Sequence, residues 1–141
     1  MEITKQDRAQ IAKKILDGDY KSGIMCRFVT VDSGVGIKTY SYIGSRNAAY
    51  LRQQKAHALG LGPAVGKRFT LKYKNFWGEY DKLYCFVTQI ARNIGRKRSD
   101  ENIQRLKDAL KKNKLEQAAE DLHFDNVGTV DGKMVCIDFI Y

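Results

Sequence analysis

The sequence predicts an α+β chain, and three observations carry that prediction. Apolar residues recur at helical spacing in two separated stretches, Ile11 and Ile15 near the start and Ile103, Leu106 and Leu110 later. Four short runs rich in β-branched and aromatic residues, beginning at Ile24, Ile37, Arg68 and Leu83, read as strands. Near the end, Asp131-Gly132 stands between the apolar runs Val127 to Val130 and Lys133 to Ile137, the strongest short-range signal for a two-residue hairpin turn.

Taken in order, the elements each have a local cause. Thr4 is placed to cap a first helix that ends at Asp17-Gly18. Ile24 to Val31 and Ile37 to Ile43 are paired strands joined by "DSGVG". Ser45 to Leu59 is a helix with Ala48, Leu51 and Ala58 inward and "GLGP" as its stop. Arg68 to Tyr73 and Leu83 to Ile90 are two more strands around "KNFWGEYDK". Ser99 opens a last helix with Asp100 and Glu101 in its first turn and Lys111, Lys112 and Lys114 at its end, charges that suit the helix dipole.

Length and composition limit the function classes. With 141 residues the chain has room for one domain and one substantial core, and an apolar share of 43% with a single proline argues for a folded globule. The start "MEITKQDRAQ" is unlike a signal peptide and no run is long and apolar enough to span a bilayer, so no membrane role and a cytoplasmic location are expected. Cys26, Cys85 and Cys136 lie far apart inside strand-like runs and read as buried reduced thiols, since no CxxC or His/Cys pair is present. There is no GxSxG or HExxH to support a hydrolase or zinc-enzyme reading. His57 reads as a helix surface residue and His123 as part of a loop.

The formal charge of +9 is unevenly spread. From Ser33 to Gly78 there is no acid, while Lys38, Arg46, Arg52, Lys55, Lys67, Arg68, Lys72 and Lys74 are basic. Acids collect at the far end, in Glu116, Glu120, Asp121, Asp125, Asp131 and Asp138. A basic half with an acidic corner suits a polyphosphate and its Mg²⁺; a basic half alone suits nucleic acid equally. For the latter, "RNIGRKRS" from Arg92 to Ser99, with Phe76, Trp77 and Tyr80, offers a basic and aromatic surface without a recognisable binding motif.

The hairpin itself carries chemistry. If Asp131 and Gly132 are the turn, Asn126 lies opposite Ile137 and beside Asp138, and Asp121, five residues before Asn126, brings a second carboxylate toward the same spot. A hard cation such as Mg²⁺ favours such all-oxygen surroundings. The alternative on spacing alone is an acidic, solvated turn.

The order of elements, with "GIKTY", "GLGP", "LYCFVTQIA" and then "DLHFDN" and "IDF", resembles the protein-kinase-like fold. The last stretch is most similar to the "DLHxxN…IDF" variant of atypical bacterial and phage kinase-like proteins, and the resemblance spans Ile24 to Phe139. It implies an antiparallel N-lobe sheet with a helix, then one helix and the catalytic-loop hairpin, with most of the C-lobe absent. The chain is then a single truncated domain, 1–91 N-lobe-like and 92–141 hinge, helix and hairpin. ATP and Mg are the implied cofactors. Asp121 matches the catalytic aspartate that accepts a substrate hydroxyl proton, and Asn126 and Asp138 match the metal ligands. Lys38 matches the strand lysine that meets the phosphates, and Gln89 to Ala91 fall where the backbone hinge meets adenine.

The chain also departs from the family pattern. No glutamate is available between Ser45 and Leu59 to hold Lys38, which leaves Gln53 or Gln54 as a neutral substitute. Ile140 stands at the glycine of the DFG motif, and Ala119 where a histidine often precedes the catalytic aspartate. "DGDYKSG" is the better placed candidate for a glycine-rich loop, and "SGVG" reads as a hairpin turn. Two functions follow, in a protein that the resemblance allows to be phage-encoded: a minimal ATP-dependent phosphotransferase, or an inactive pseudokinase acting as a binding, inhibitory or virion structural protein that docks on a host or virion partner. A missing second lobe implies an apolar patch around Ile137, Phe139, Ile140 and Tyr141, and hence self-association or a protein partner at the C-terminal end.

Overall fold

The computed structural model describes residues 2–23, 25–93, 100–122 and 126–139. Residues 94–99, Ser99 among them, together with His123, Asp125 and residues 140–141, lie outside them, and so do the expectations placed on those residues.

Thr4 caps the first helix, α1 (Lys5–Asp17), in a reciprocal capping box: its side chain accepts from the Asp7 amide at 3.1 Å and its own amide donates to Asp7 Oδ2 at 3.0 Å. Gly18 ends α1 in the left-handed conformation. Asp7, Ile11 and Ile15 form the buried stripe, four residues apart. Among the described residues, eight strands follow or flank the remaining helices: β1 (Lys21–Gly23), β2 (Cys26–Thr30), β3 (Gly36–Tyr40), then α2 (Ile43–Ala58), β4 (Val65–Lys74), β5 (Tyr80–Thr88), β6 (Arg92–Asn93), α3 (Asp100–Lys112), α4 (Glu116–Glu120), β7 (Val127–Val130) and β8 (Lys133–Cys136).

The chain divides into two compact units, 1–47 with 65–89 and 48–64 with 90–141, and each has its own apolar cluster where length alone allowed for one. In the first, five antiparallel strands lie in the order β1-β2-β3-β5-β4. Helix α1 covers one face. Arg8 Nη1 donates to the Thr70 carbonyl and Lys14 Nζ to the Thr30 carbonyl, while Ile11 and Ile15 meet Val29, Ile37, Phe69, Leu71, Leu83, Cys85 and Val87 in the core. The mixed helix-and-sheet class is therefore as the periodicities predict.

Several boundaries differ from the sequence reading. "DGDYKSG" is a helix cap followed by the edge strand β1, whose Lys21 pairs with Phe28, rather than a glycine-rich loop. "SGVG" is the hairpin turn expected, closed by the Gly34 amide on the Val31 carbonyl. Helix α2 starts at Ile43, two residues before Ser45, and buries Arg46, Ala49, Gln53 and Ala56 while Leu51 is 57% exposed and Ala58 is exposed. Its stop is the expected "GLGP", where the Leu61 amide reaches back to the Ala56 carbonyl at 2.8 Å.

In the second unit, β6, β7 and β8 form a small antiparallel sheet. The β7–β8 register is Val130 with Lys133 and Val127 with Cys136, so Asp131 (φ 51°) and Gly132 (φ 79°) are the two turn residues, both left-handed as such a turn needs. At Gly128 an added Cβ would stand 2.9 Å from Ala91 Cβ and 3.0 Å from the Arg92 carbonyl oxygen, so β6 can lie this close only against glycine. Leu106 and Leu110 of α3 pack with Leu115, Ala118, Ala119, Leu122, Val127, Cys136 and Phe139. Phe139 is only 1% exposed and Ile137 is half-buried, so the C-terminal apolar patch expected for a partner is, at Phe139, part of the core instead.

All three cysteines are buried free thiols. Burial raises the Cys85 thiol from 9.0 to about 12, more than Arg46 and Arg8 pull it down. A thiol kept neutral by the fold contributes stability that is complete below pH 9.0 and is lost as pH rises toward about 12. Urea titrations of wild type and Cys85→Ala across that range should show the wild type losing stability more steeply; parallel curves would refute this. Among the described residues, no helix is long and apolar enough to cross a membrane.

Candidate functional site

The polar end of the hairpin is built from three residues, each followed by a buried apolar neighbour. Asp121, Asn126 and Asp138 precede Leu122, Val127 and Phe139, all members of one cluster. Packing of the apolar member therefore fixes the backbone of the polar one. Asp121 closes α4, its amide donating to the Gln117 carbonyl at 3.1 Å, and its side chain is exposed.

Asn126 is the best-held member. Burying an amide is costly without partners. Here Asn126 Nδ2 donates to the Asp121 carbonyl at 2.5 Å, and the Asn126 carbonyl accepts from the Ile137 amide at 2.9 Å. The first bond ties Asn126 to the residue that closes α4; the second continues the hairpin ladder one pair beyond β7 and β8. Asn126 thus lies opposite Ile137, as the turn chemistry predicts. Asp138 follows directly, half-buried, with its carbonyl accepting from Cys136 Sγ at 3.4 Å. These bonds tie Asp121 to Asn126 and Asn126 to Ile137, the residue before Asp138. The side-chain donors are all oxygen, a set that suits Mg²⁺ completed by water and phosphate. Among the described residues, no three His, Cys, Asp or Glu side chains form a closed metal cage.

Lys38 belongs to the other unit. It lies on β3 opposite Phe86 of β5, 6% exposed, with Nζ 5.9 Å from the centre of the Phe86 ring. Tyr40 stacks on the same ring at 6.0 Å. This lysine is a buried residue of a central strand, and truncating it to alanine would remove packing as well as charge. Gln53, a proposed partner for it, is fully buried and donates from Nε2 to the Pro63 carbonyl at 3.2 Å, which holds the chain leaving α2; Gln54 is exposed. Gln89 and Ala91 are half-buried beyond β5, the Gln89 carbonyl accepting from the Thr88 hydroxyl at 3.1 Å and Ala91 lying against Gly128.

Arg46 is the residue that sequence reasoning missed. It is 7% exposed, and its Nη1 donates to the paired carbonyls of Phe69 and Cys85 at 3.2 and 3.1 Å while Nε donates to Asn47 Oδ1. Its guanidinium also stands over the Tyr84 ring. Burial, and then repulsion from Arg68, lower its pKa from the usual guanidinium value. The available signal was its spacing from Ala49, Gln53 and Ala56. Apolar ranking hid it, because Leu51 outweighs Arg46 on any hydropathy scale.

Compared with known proteins, the chain matches no protein-family model and no curated sequence.

Proposed function

We propose that the chain is a kinase-like protein that binds ATP with Mg²⁺ and positions a phosphoryl acceptor. The observation that supports this most is the double tie on Asn126, from its amide to Asp121 and from Ile137 to its carbonyl, at the end of a hairpin that continues into Asp138. In this reading Asn126 and Asp138 give oxygen ligands to the metal, Lys38 meets the phosphates, and the backbone at Gln89 and Ala91 meets the base. What Mg²⁺ supplies when bound is neutralisation of phosphate charge. Asp121, exposed at the mouth of the loop, accepts the proton of the acceptor hydroxyl.

A second reading, a pseudokinase that binds without transfer, is favoured by one observation. The buried stripe of α2 is Arg46, Ala49, Gln53 and Ala56, so this helix has no carboxylate with which to hold Lys38.

Calorimetric titration of Mg·ATP followed by assay of γ-phosphate loss separates the readings. Phosphotransferase chemistry predicts binding in both wild type and Asp121→Ala, with γ-phosphate loss in wild type only. Binding without turnover in wild type leaves the pseudokinase. Absence of binding by folded protein rejects both. Lys38→Met, which conserves volume better than alanine, should weaken nucleotide affinity about tenfold, an effect of about 1.4 kcal/mol; an unchanged affinity in the folded variant removes Lys38 from the site.

A further inference from the structure

The register of the five-stranded sheet sorts its charges by face. Side chains alternate along a strand, so residues of even number on β4 and β5 share one face, because Lys72 pairs with Lys82 and Lys74 with Tyr80. That face carries Arg68, Lys72, Lys74, Tyr80 and Lys82, and no acid. Asp81 pairs with Tyr73 on the opposite face, the one that α1 covers, and is held by Asn75 Nδ2 at 3.1 Å.

The same strands project beyond the sheet. β3 pairs with β5 only from Tyr84 to Thr88, so Tyr80 to Leu83 are paired with β4 alone. At the tip of this two-stranded ribbon Phe76 is 75%, Trp77 84% and Tyr80 67% exposed. Three large exposed rings in one place call for an occupant. The turn that presents them is firmly built: Asn75 Oδ1 accepts from the Trp77 and Glu79 amides at 3.0 Å each, and the Asn75 amide donates to the Glu79 carbonyl at 2.8 Å. Glu79 is the acid of the tip, and the flanking positions Lys74 and Tyr80 are a cation and a ring.

We propose that the acid-free face and aromatic tip of the β4–β5 ribbon form a docking surface for single-stranded nucleic acid. Bases stack on Trp77, Phe76 and Tyr80, and phosphates meet Lys72, Lys74 and Lys82. Interleaving is the reason to prefer this occupant. Lys72 Nζ lies 4.9 Å from the centre of the Tyr80 ring, so cation and ring are at one level of the surface. A strand of nucleic acid offers π-faces and phosphates at that same level. A bilayer would receive the Tyr80 ring only with the Lys72 ammonium beside it. Same-face neighbours on a strand stand about 6.7 Å apart, of the order of the separation between successive phosphates in an extended single strand. Ring stacking and phosphate contacts do not read the sugar, so deoxyribose and ribose strands are equivalent occupants. The proposal is independent of the nucleotide reading, since no residue is common to the two.

Trp77 is the single tryptophan of the chain, so its emission reports on this site alone. Titrating the protein with an oligothymidylate of about 20 nucleotides, longer than typical site sizes, should quench Trp77 saturably. Tyr80→Ala should weaken binding about tenfold, the loss of one stacked base, with an unchanged circular dichroism spectrum. The triple change Lys72→Gln, Lys74→Gln, Lys82→Gln should reduce the slope of log affinity against log salt by about two. Absence of quenching overturns the proposal. So does salt-dependent binding seen by oligonucleotide anisotropy that leaves Trp77 emission and Tyr80→Ala unaffected, which would be polyanion attraction elsewhere on the basic chain. A blue shift of Trp77 with phosphatidylserine vesicles, without quenching by the oligonucleotide, assigns the surface to a membrane and overturns it too.

Discussion

Asp138→Asn will lower the affinity for Mg·ATP by more than tenfold, about 1.4 kcal/mol, and will abolish the difference between titrations with and without Mg²⁺. The substitution conserves shape. The backbone on either side is held independently, by the Ile137 amide on the Asn126 carbonyl and by the burial of Phe139, so the loop keeps its course. What is lost is one anionic oxygen. A hard cation depends on that charge more than on the amide that replaces it. Nucleotide held through backbone contacts to its base alone would be indifferent to the change. Calorimetry on both proteins decides the matter, and undiminished Mg²⁺ dependence in Asp138→Asn would remove this residue from the metal site.

Phe139→Ala will destabilise the chain by about 3 to 5 kcal/mol, the usual cost of an emptied aromatic site in a core. The ring belongs to the second cluster and closes on Gly62, where an added Cβ would stand 3.0 Å from Cζ. Residues so tightly fitted cannot collapse to fill the space. The change should appear in urea denaturation as a lower midpoint with an unchanged slope. A loss smaller than about 1 kcal/mol would show that the ring contributes no packing and would restore the picture of an exposed C-terminal patch. Because Phe139 is next to Asp138, the variant should also weaken Mg·ATP binding, through the position of the carboxylate and not through its chemistry.

The candidate site was legible where the chemistry is local. Asp131-Gly132 dictates a two-residue turn, and counting outward from it sets Asn126 opposite Ile137, which is where the ladder places it. Thr4 and Gly18 are legible for the same reason, since caps act over three or four residues. The buried stripe of α2 was not legible. Helical spacing allows several stripes, and the choice among them depends on what each meets: the strand carbonyls of Phe69 and Cys85 receive Arg46, and Pro63 receives Gln53, while Leu51 is left in solvent. β6 and α4 escaped notice because two and five residues are too few to show a period.

By itself, then, the sequence determined the α+β class, the hairpin and its register, the reduced cysteines and the placing of Asn126 opposite Ile137, because each follows from interactions within a few residues. Only the tertiary structure decided that the chain has two cores instead of one, that Phe139 is buried, that Lys38 is enclosed beside Phe86, and that the cations of β4 and β5 share a face from which Asp81 is excluded. Those outcomes depend on which strands pair and in what register. Pairing joins residues far apart in the chain, and its free energy lies in burial and long-range hydrogen bonds that no local pattern encodes.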